Sequence, residues 1–310
     1  MFANHDHYQE YQRLLVALHA LVAAGKNQSP EARQLREGME TVEADLSEPE
    51  IVRLNALSAD LSMIHDRDIP DSEVAARVPA DEVPQQIARA FSERQWGDLL
   101  DLLRAGANSH WGKDQIAYVR SRAYEGLGEL GPAVAFMDEA AKRAPTNPNY
   151  RALALRLLWK SKRYEEAYSR AREYLTDPAA PPRVVLMAGG IVAQRSMQTS
   201  DQADLNTVAS EAIHRLRKAL QLESSANLRF PGWVALGLLA VQVDDAPTAA
   251  AAFREALGMD TFSDEQVTAR LVLVTELQLV ESAKAKTSEE RLNAKQLAEF
   301  AQTAPNLVAA

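Results

Sequence analysis

The chain of 310 residues contains no cysteine, which removes disulfides, thiolate metal sites and thiol nucleophiles together. Aromatic side chains make up only 6%, so the core has to come from aliphatic residues. Basic residues are outnumbered 34 to 43, for a net charge of −9. That balance argues against broad binding to nucleic acid or to anionic membrane, since both need a basic face. No run of about 18 apolar residues occurs, so no membrane span is expected. The apolar stretch 14–24 could serve a secretory leader, but Asp6 and Glu10 precede it against Arg13 alone, the wrong sign for one. The common catalytic fingerprints are also missing: no Gly-x-Ser-x-Gly, no His-Glu-x-x-His and no dinucleotide motif. Gly189-Gly190 lacks the Gly-Lys-Ser/Thr that completes a phosphate loop.

What remains is helical patterning. Tyr8, Tyr11, Leu15, Leu18 and Val22 follow a 3-4-3-4 spacing that lines one stripe of a helix, and Gly25 offers a left-handed stop. Ser29-Pro30 reads as an N-cap followed by Pro at the first helical position, opening a second stripe through Ala32, Leu35, Met39, Val42 and Leu46. Ser47-Glu48-Pro49-Glu50 is a capping box before Leu54, Leu57, Leu61 and Ile64. These three helices predict a small antiparallel bundle over 1–66. It is acidic: residues 1–80 hold 7 Lys/Arg against 14 Asp/Glu. Residues 67–82 are polar, include Pro70 and Pro79, and read as a linker.

From there the chain repeats itself. In 114–145, small Ser121 stands eighth, Tyr124 eleventh, Ala133 twentieth, Met137 twenty-fourth, Ala140 twenty-seventh and Pro145 thirty-second. Thirty-four residues on, Tyr164, Ala167, Ala171 and Asp177-Pro178 fall in register. In 230–260, Trp233, Leu236, Gly237, Ala240, Ala249, Phe253 and Ala256 follow the same order. Between them lies a stretched copy: Leu186, Gly189, Gly190 and Ala193, then Ala212, Leu216 and Ala219, with the excess at 198–207 expected to form an exposed loop. Residues 83–106 look like a degenerate earlier hairpin with Trp96 at its turn, and 263–283 with 287–301 like a last helix pair.

This pattern resembles the tetratricopeptide repeat (TPR) family over about 83–303. The resemblance implies an all-α fold, a right-handed helical-repeat solenoid preceded by the N-terminal bundle, with 304–310 as a tail. It also implies a concave groove, lined by the first helix of each pair, that receives a partner peptide or protein segment. The family's groove positions fall on Gln115, Tyr118, Arg122 and Glu125 in the first clear copy and on Asn149, Arg156, Trp159 and Lys160 in the second. They fall on Met187, Ile191, Gln194 and Arg195 in the stretched copy and on apolar Val234, Leu238 and Val241, with Gln242, in the last. Arg122, Arg156, Lys160 and Arg195 beside Tyr118 and Trp159 form a strip of hot-spot composition, suited to an acidic segment or a C-terminal carboxylate. The plainer alternative is that these cations are solvated and Trp159 packs against the next hairpin. The Lys/Asn carboxylate clamp of chaperone-binding TPR domains is missing, with Tyr118/Arg122 and Ala152/Arg156 in its places.

The resulting expectation is a non-catalytic, cytoplasmic interaction scaffold without cofactor or metal. Its partner is a protein or peptide, not nucleic acid or membrane. His5-Asp6 and His65-Asp66 pair the residue types of metal-dependent phosphohydrolases, but they sit at a terminus and a helix end. His110-Trp111 reads as packing in a loop. Self-association through uncapped terminal helices (Leu271, Leu273, Leu277) is the second reading, and an enzyme or sensor with a buried polar site the third.

Overall fold

The computed structural model describes residues 5–64, 83–104, 111–198 and 202–259. The linker 67–82, His65-Asp66, His110, the last helix pair and the tail lie outside the described residues. Among those described there are thirteen α-helices and no strand. The chain divides into two compact units, residues 1–150 and 151–310.

The first unit starts with α1 (Asp6–Ala23), α2 (Pro30–Glu43) and α3 (Glu48–Ile64), with Leu46, read as the end of the second stripe, lying beyond α2. Gly25, at φ +74°, ends α1 in the left-handed conformation that glycine adopts without a Cβ clash. Ser29 caps α2, its hydroxyl accepting the Ala32 N–H at 3.2 Å. The capping box before α3 forms as written: Glu50 accepts the backbone N–H of Ser47 at 2.8 Å and its hydroxyl at 2.6 Å. After these come α4 (Val83–Ser92), α5 (Trp96–Arg104), α6 (Lys113–Gly126) and α7 (Leu130–Arg143). Helices α4–α5 and α6–α7 are hairpins, while α1 and α3 pack on α7.

The second unit takes up α8 (Pro148–Lys160) after its first turn, then α9 (Tyr164–Thr176), α10 (Pro182–Gln198), α11 (Gln202–Leu222), α12 (Ala226–Gln242) and α13 (Ala246–Leu257). Helix α10 is its centre. It packs against α9, α11 and α12, and every residue from Val184 to Gln194 is buried. The excess of the stretched copy does not form the expected loop. Of 198–207, Gln198 still belongs to α10 and 202–207 already belong to α11. The reason is periodicity: Val208, Ala209, Ala212, Ile213, Leu216, Ala219 and Leu220 are buried in one continuous stripe, which holds a helix of 21 residues.

Small residues set the distance between paired helices. Ser121 donates its hydroxyl to the Ala133 carbonyl at 2.7 Å across the α6–α7 hairpin. A Cβ on Gly189 would come within 2.6 Å of Leu216, and one on Gly237 within 2.2 Å of the Phe253 ring. At these three positions the second helix occupies the space a larger side chain would take.

The turns repeat as well. Arg94, Gly128, Lys162 and Asp244 all have φ between 58° and 81°, and the first three are spaced 34 residues apart. Each closes its hairpin with the same hydrogen bond, from the next residue's N–H to the carbonyl five positions back. The four bonds are Gln95 to Ala90, Glu129 to Tyr124, Arg163 to Leu158 and Asp245 to Ala240, at 2.8 to 3.0 Å. This is the left-handed C-terminal cap that satisfies a helix's last carbonyls. Three of its four residues are not glycine, so the packing of the hairpins imposes a conformation these side chains disfavour.

Candidate functional site

In the first unit, the groove positions are engaged locally. Tyr118 is half-buried and its ring lies 5.5 Å from that of Tyr150, whose hydroxyl donates to Asp114 at 3.3 Å. Burial and the Asp114 charge both raise the Tyr150 pKa. Arg122 donates to Glu125, one turn along α6, at 2.6 Å. Asn149 is exposed at the start of α8, its backbone N–H held by the Asn147 side chain.

In the second unit, Arg156, Trp159 and Lys160 fall at i, i+3 and i+4 on α8, one face of the helix. Arg156 and Trp159 are half-buried, and Lys160 is exposed. Trp159 packs on Tyr164, the first residue of α9 in its own hairpin, with ring centroids 4.7 Å apart. Arg195 bonds the carboxylate of Glu165, the next residue. Trp159 and Arg195, 36 positions apart in the chain, are thus brought together at the N-terminus of α9. The middle of α10 contributes nothing to this surface, because Met187, Ile191 and Gln194 are 7%, 3% and 6% exposed. On α12, Val234, Leu238, Val241 and Gln242 form the half-open arc, apolar as their sequence reads. A depression of about 360 Å³ lies between α11, α12 and α13, with Trp233, Leu236 and Thr248 in its lining. Arg217 also lines it and pairs with Asp245 at 3.6 Å.

The largest polar feature escaped the sequence reading. Asp60 of α3 is fully buried. It accepts two parallel bonds from Arg104 at 2.9 and 2.8 Å and one from the Tyr124 hydroxyl at 2.6 Å. Arg120 lies 3.7 Å from it. Glu129, at the α6–α7 turn, receives Arg53 at 3.1 Å and Gln12 at 2.9 Å. The two clusters touch where Arg53 lies over the Tyr124 ring, 5.1 Å from its centroid, and that ring stacks on Phe136 at 5.3 Å. Burial, and then the charge of Asp60, push the Tyr124 hydroxyl well above its usual range. Burial lowers the Arg120 pKa despite Asp60 nearby. Arg104 is also desolvated, yet the Asp60 carboxylate raises its pKa.

The network ties α3 to α5 and α6 and the α6–α7 turn to α1 and α3, and burial holds its tyrosine protonated. The signal for it lay in the stripes. Gln12, Asp60 and Arg120 each fall on an apolar helix face at 3- or 4-residue spacing from core residues (Tyr8 and Leu15; Leu57; Ala117 and Tyr124). A polar residue there is buried, and must find partners.

Among the described residues, no group of three or more His, Asp or Glu is placed to hold a metal ion. His5 and His7 instead meet single carboxylates, Glu50 at 2.8 Å and Asp45 at 3.8 Å. No described helix is long and apolar enough to cross a membrane. Comparison with known proteins finds no matching family model, no matching curated protein and no matching solved structure.

Proposed function

We propose that the chain is a non-catalytic interaction scaffold of the TPR-like helical-repeat kind, which binds a protein or peptide segment on the α8 face that carries Arg156, Trp159 and Lys160. One observation carries this reading. The left-handed turn recurs at Arg94, Gly128 and Lys162, 34 residues apart, with the same closing hydrogen bond each time. A hairpin recurring at that period is the unit from which helical-repeat proteins are built. On α8 that face combines an aromatic residue with two cations, the composition of binding hot spots.

Affinity capture from the native host, with the full chain as bait, tests the reading. The Arg156→Ala/Trp159→Ala variant is expected to lose the partners that the wild type retains, while its circular dichroism spectrum stays helical. Retention of the same partners by a folded double variant would remove the α8 face as the binding surface.

A further inference from the structure

The α8–α9 hairpin is a basic part of an acidic protein. Residues 151–177 carry seven Lys/Arg against four Asp/Glu, in a chain of net charge −9. Lys160, Lys162 and Arg163 are exposed at the turn, where Lys162 takes the left-handed conformation that leads α8 into α9. Trp159 and Tyr164 flank the turn with their rings in contact. Arg195 reaches the same place from the end of α10 and is held there by Glu165. The exposures of this last pair are unequal: the Arg195 side chain is 26% exposed and that of Glu165 is 75%. A largely solvated carboxylate rests on an arginine side chain that is about one-quarter exposed.

We propose that this surface receives an acidic peptide segment, and that Glu165 is its internal competitor: an incoming carboxylate takes Arg195 from Glu165. The proposal rests on the scaffold reading above and adds the ligand's chemistry and the residue that tunes its affinity. A carboxylate is favoured over a phosphate because carboxylates are what the surface already holds. Glu165 sits on Arg195, and Glu166 bridges Arg163 and Arg170. Displacement is inexpensive, since an exposed ion pair holds its partners weakly. Arg195 exchanges one carboxylate for another, while Lys160 and Lys162 add attraction and Trp159 with Tyr164 offers apolar area.

Fluorescence anisotropy of the full chain with fluorescein-labelled octaglutamate, at low salt, tests this. The wild type is expected to bind, and Glu165→Gln to bind about two- to five-fold more tightly, the range an exposed ion pair allows. That gain should vanish at high salt and in the Glu165→Gln/Arg195→Ala double variant. Lys160→Ala and Lys162→Ala should weaken binding. Circular dichroism and thermal melting of each variant separate these effects from misfolding. No binding of octaglutamate overturns the proposal, as does Glu165→Gln binding no more tightly than the wild type. Tighter binding of labelled oligouridylate than of octaglutamate also overturns it, in favour of a nucleic-acid ligand. The two readings fail separately. Partner capture lost in Arg156→Ala/Trp159→Ala, with octaglutamate indifferent to Glu165→Gln, removes only the competitor. Capture unchanged in the double variant removes the scaffold surface whatever Glu165 does.

Discussion

Asp60→Asn keeps the size of the side chain and removes the charge that two buried guanidiniums share. Asp60 is fully buried, while the Arg104 and Arg120 side chains are 14% and 4% exposed. Without the Asp60 charge, the carboxylate left to Arg104 is Asp101, itself 61% exposed and too solvated to compensate. Breaking a buried ion pair from one side costs about 3–5 kcal/mol, because the remaining charge is stranded away from water. Set against a domain stability of about 5–15 kcal/mol, that is about a fifth or more of what holds the first unit together. With a urea slope of about 2 kcal/mol per molar, the unfolding midpoint should fall by about 1.5–2.5 M. Far-UV circular dichroism of the full chain, resolved into two transitions, is the assay, with the transition of residues 151–310 as an internal control. Tyr124→Phe removes one hydrogen bond to the same carboxylate and should cost about 1.5–3 kcal/mol. The double variant should lose less than the sum of the two, because both act on one group. A loss below about 1 kcal/mol for Asp60→Asn, the size of an exposed pair, would refute the buried network.

Other outcomes follow from single contacts. Gly237→Ala sets a methyl 2.2 Å from the fully buried Phe253 ring and should destabilise residues 151–310 by about 1–3 kcal/mol, read as a lower melting temperature of that transition. Arg94→Gly relieves a positive φ of 59° and should raise the stability of the first unit by up to about 1 kcal/mol, the left-handed penalty exceeding the entropy of the added glycine; a lower melting temperature would contradict the turn's geometry. The Glu50 carboxyl is held down to about 2, first by the Ser47 hydroxyl and backbone bonds and then by His5. A lowered folded-state pKa contributes stability that is complete above the ordinary value of 4.5 and lost as pH falls toward 2. The stability gap between wild type and Glu50→Ala should therefore close over that acid window, which chemical denaturation across pH would show.

Much of the helical layout was legible because it depends on local rules. The stripe of α1, the Ser29 cap and the Ser47–Glu50 box each use residues within one or two turns, and each is where the spacing puts it. Gly25 announced the end of α1. Arg94, Lys162 and Asp244 announced no turn, since nothing in a non-glycine residue advertises a left-handed φ that neighbouring helices impose. The extra residues at 202–207 read as a loop because the repeat template was held fixed; the buried stripe from Val208 to Leu220 extends the helix instead. At the candidate surface the residue types were legible in the sequence, but the contacts each makes were not. Glu165 lies 30 positions from Arg195, and helical spacing relates only neighbours a turn apart. The burial of Gln194 follows from α10 lying at the centre of its unit, a tertiary fact.

The two devices that organise the first unit differ in kind, and the difference explains where charge is buried. A hairpin turn closed by backbone hydrogen bonds specifies itself with any residue that tolerates the strain, so it recurs at Arg94 and Gly128 without help from side chains. The docking of α1 and α3 on α7 has no repeated counterpart to define it, and apolar stripes of Leu and Ala could slide against one another at little cost. Fixed directional bonds remove that freedom. Asp60 reaches α5 and α6 through Arg104 and Tyr124, and Glu129 reaches α1 and α3 through Gln12 and Arg53. Each of these bonds has one geometry: a shift of α3 by one residue would break those of Asp60 and Arg53, and a shift of α1 that of Gln12. Replacing Asp60, Arg104, Arg120 and Tyr124 together by apolar residues of similar volume therefore separates stability from specificity. The fourfold variant should be as stable as the wild type or more so. Its hydrogen-exchange protection across α1 and α3 should nevertheless fall, as those helices sample more than one register. Undiminished protection in a stable variant would show that the apolar faces alone fix the docking.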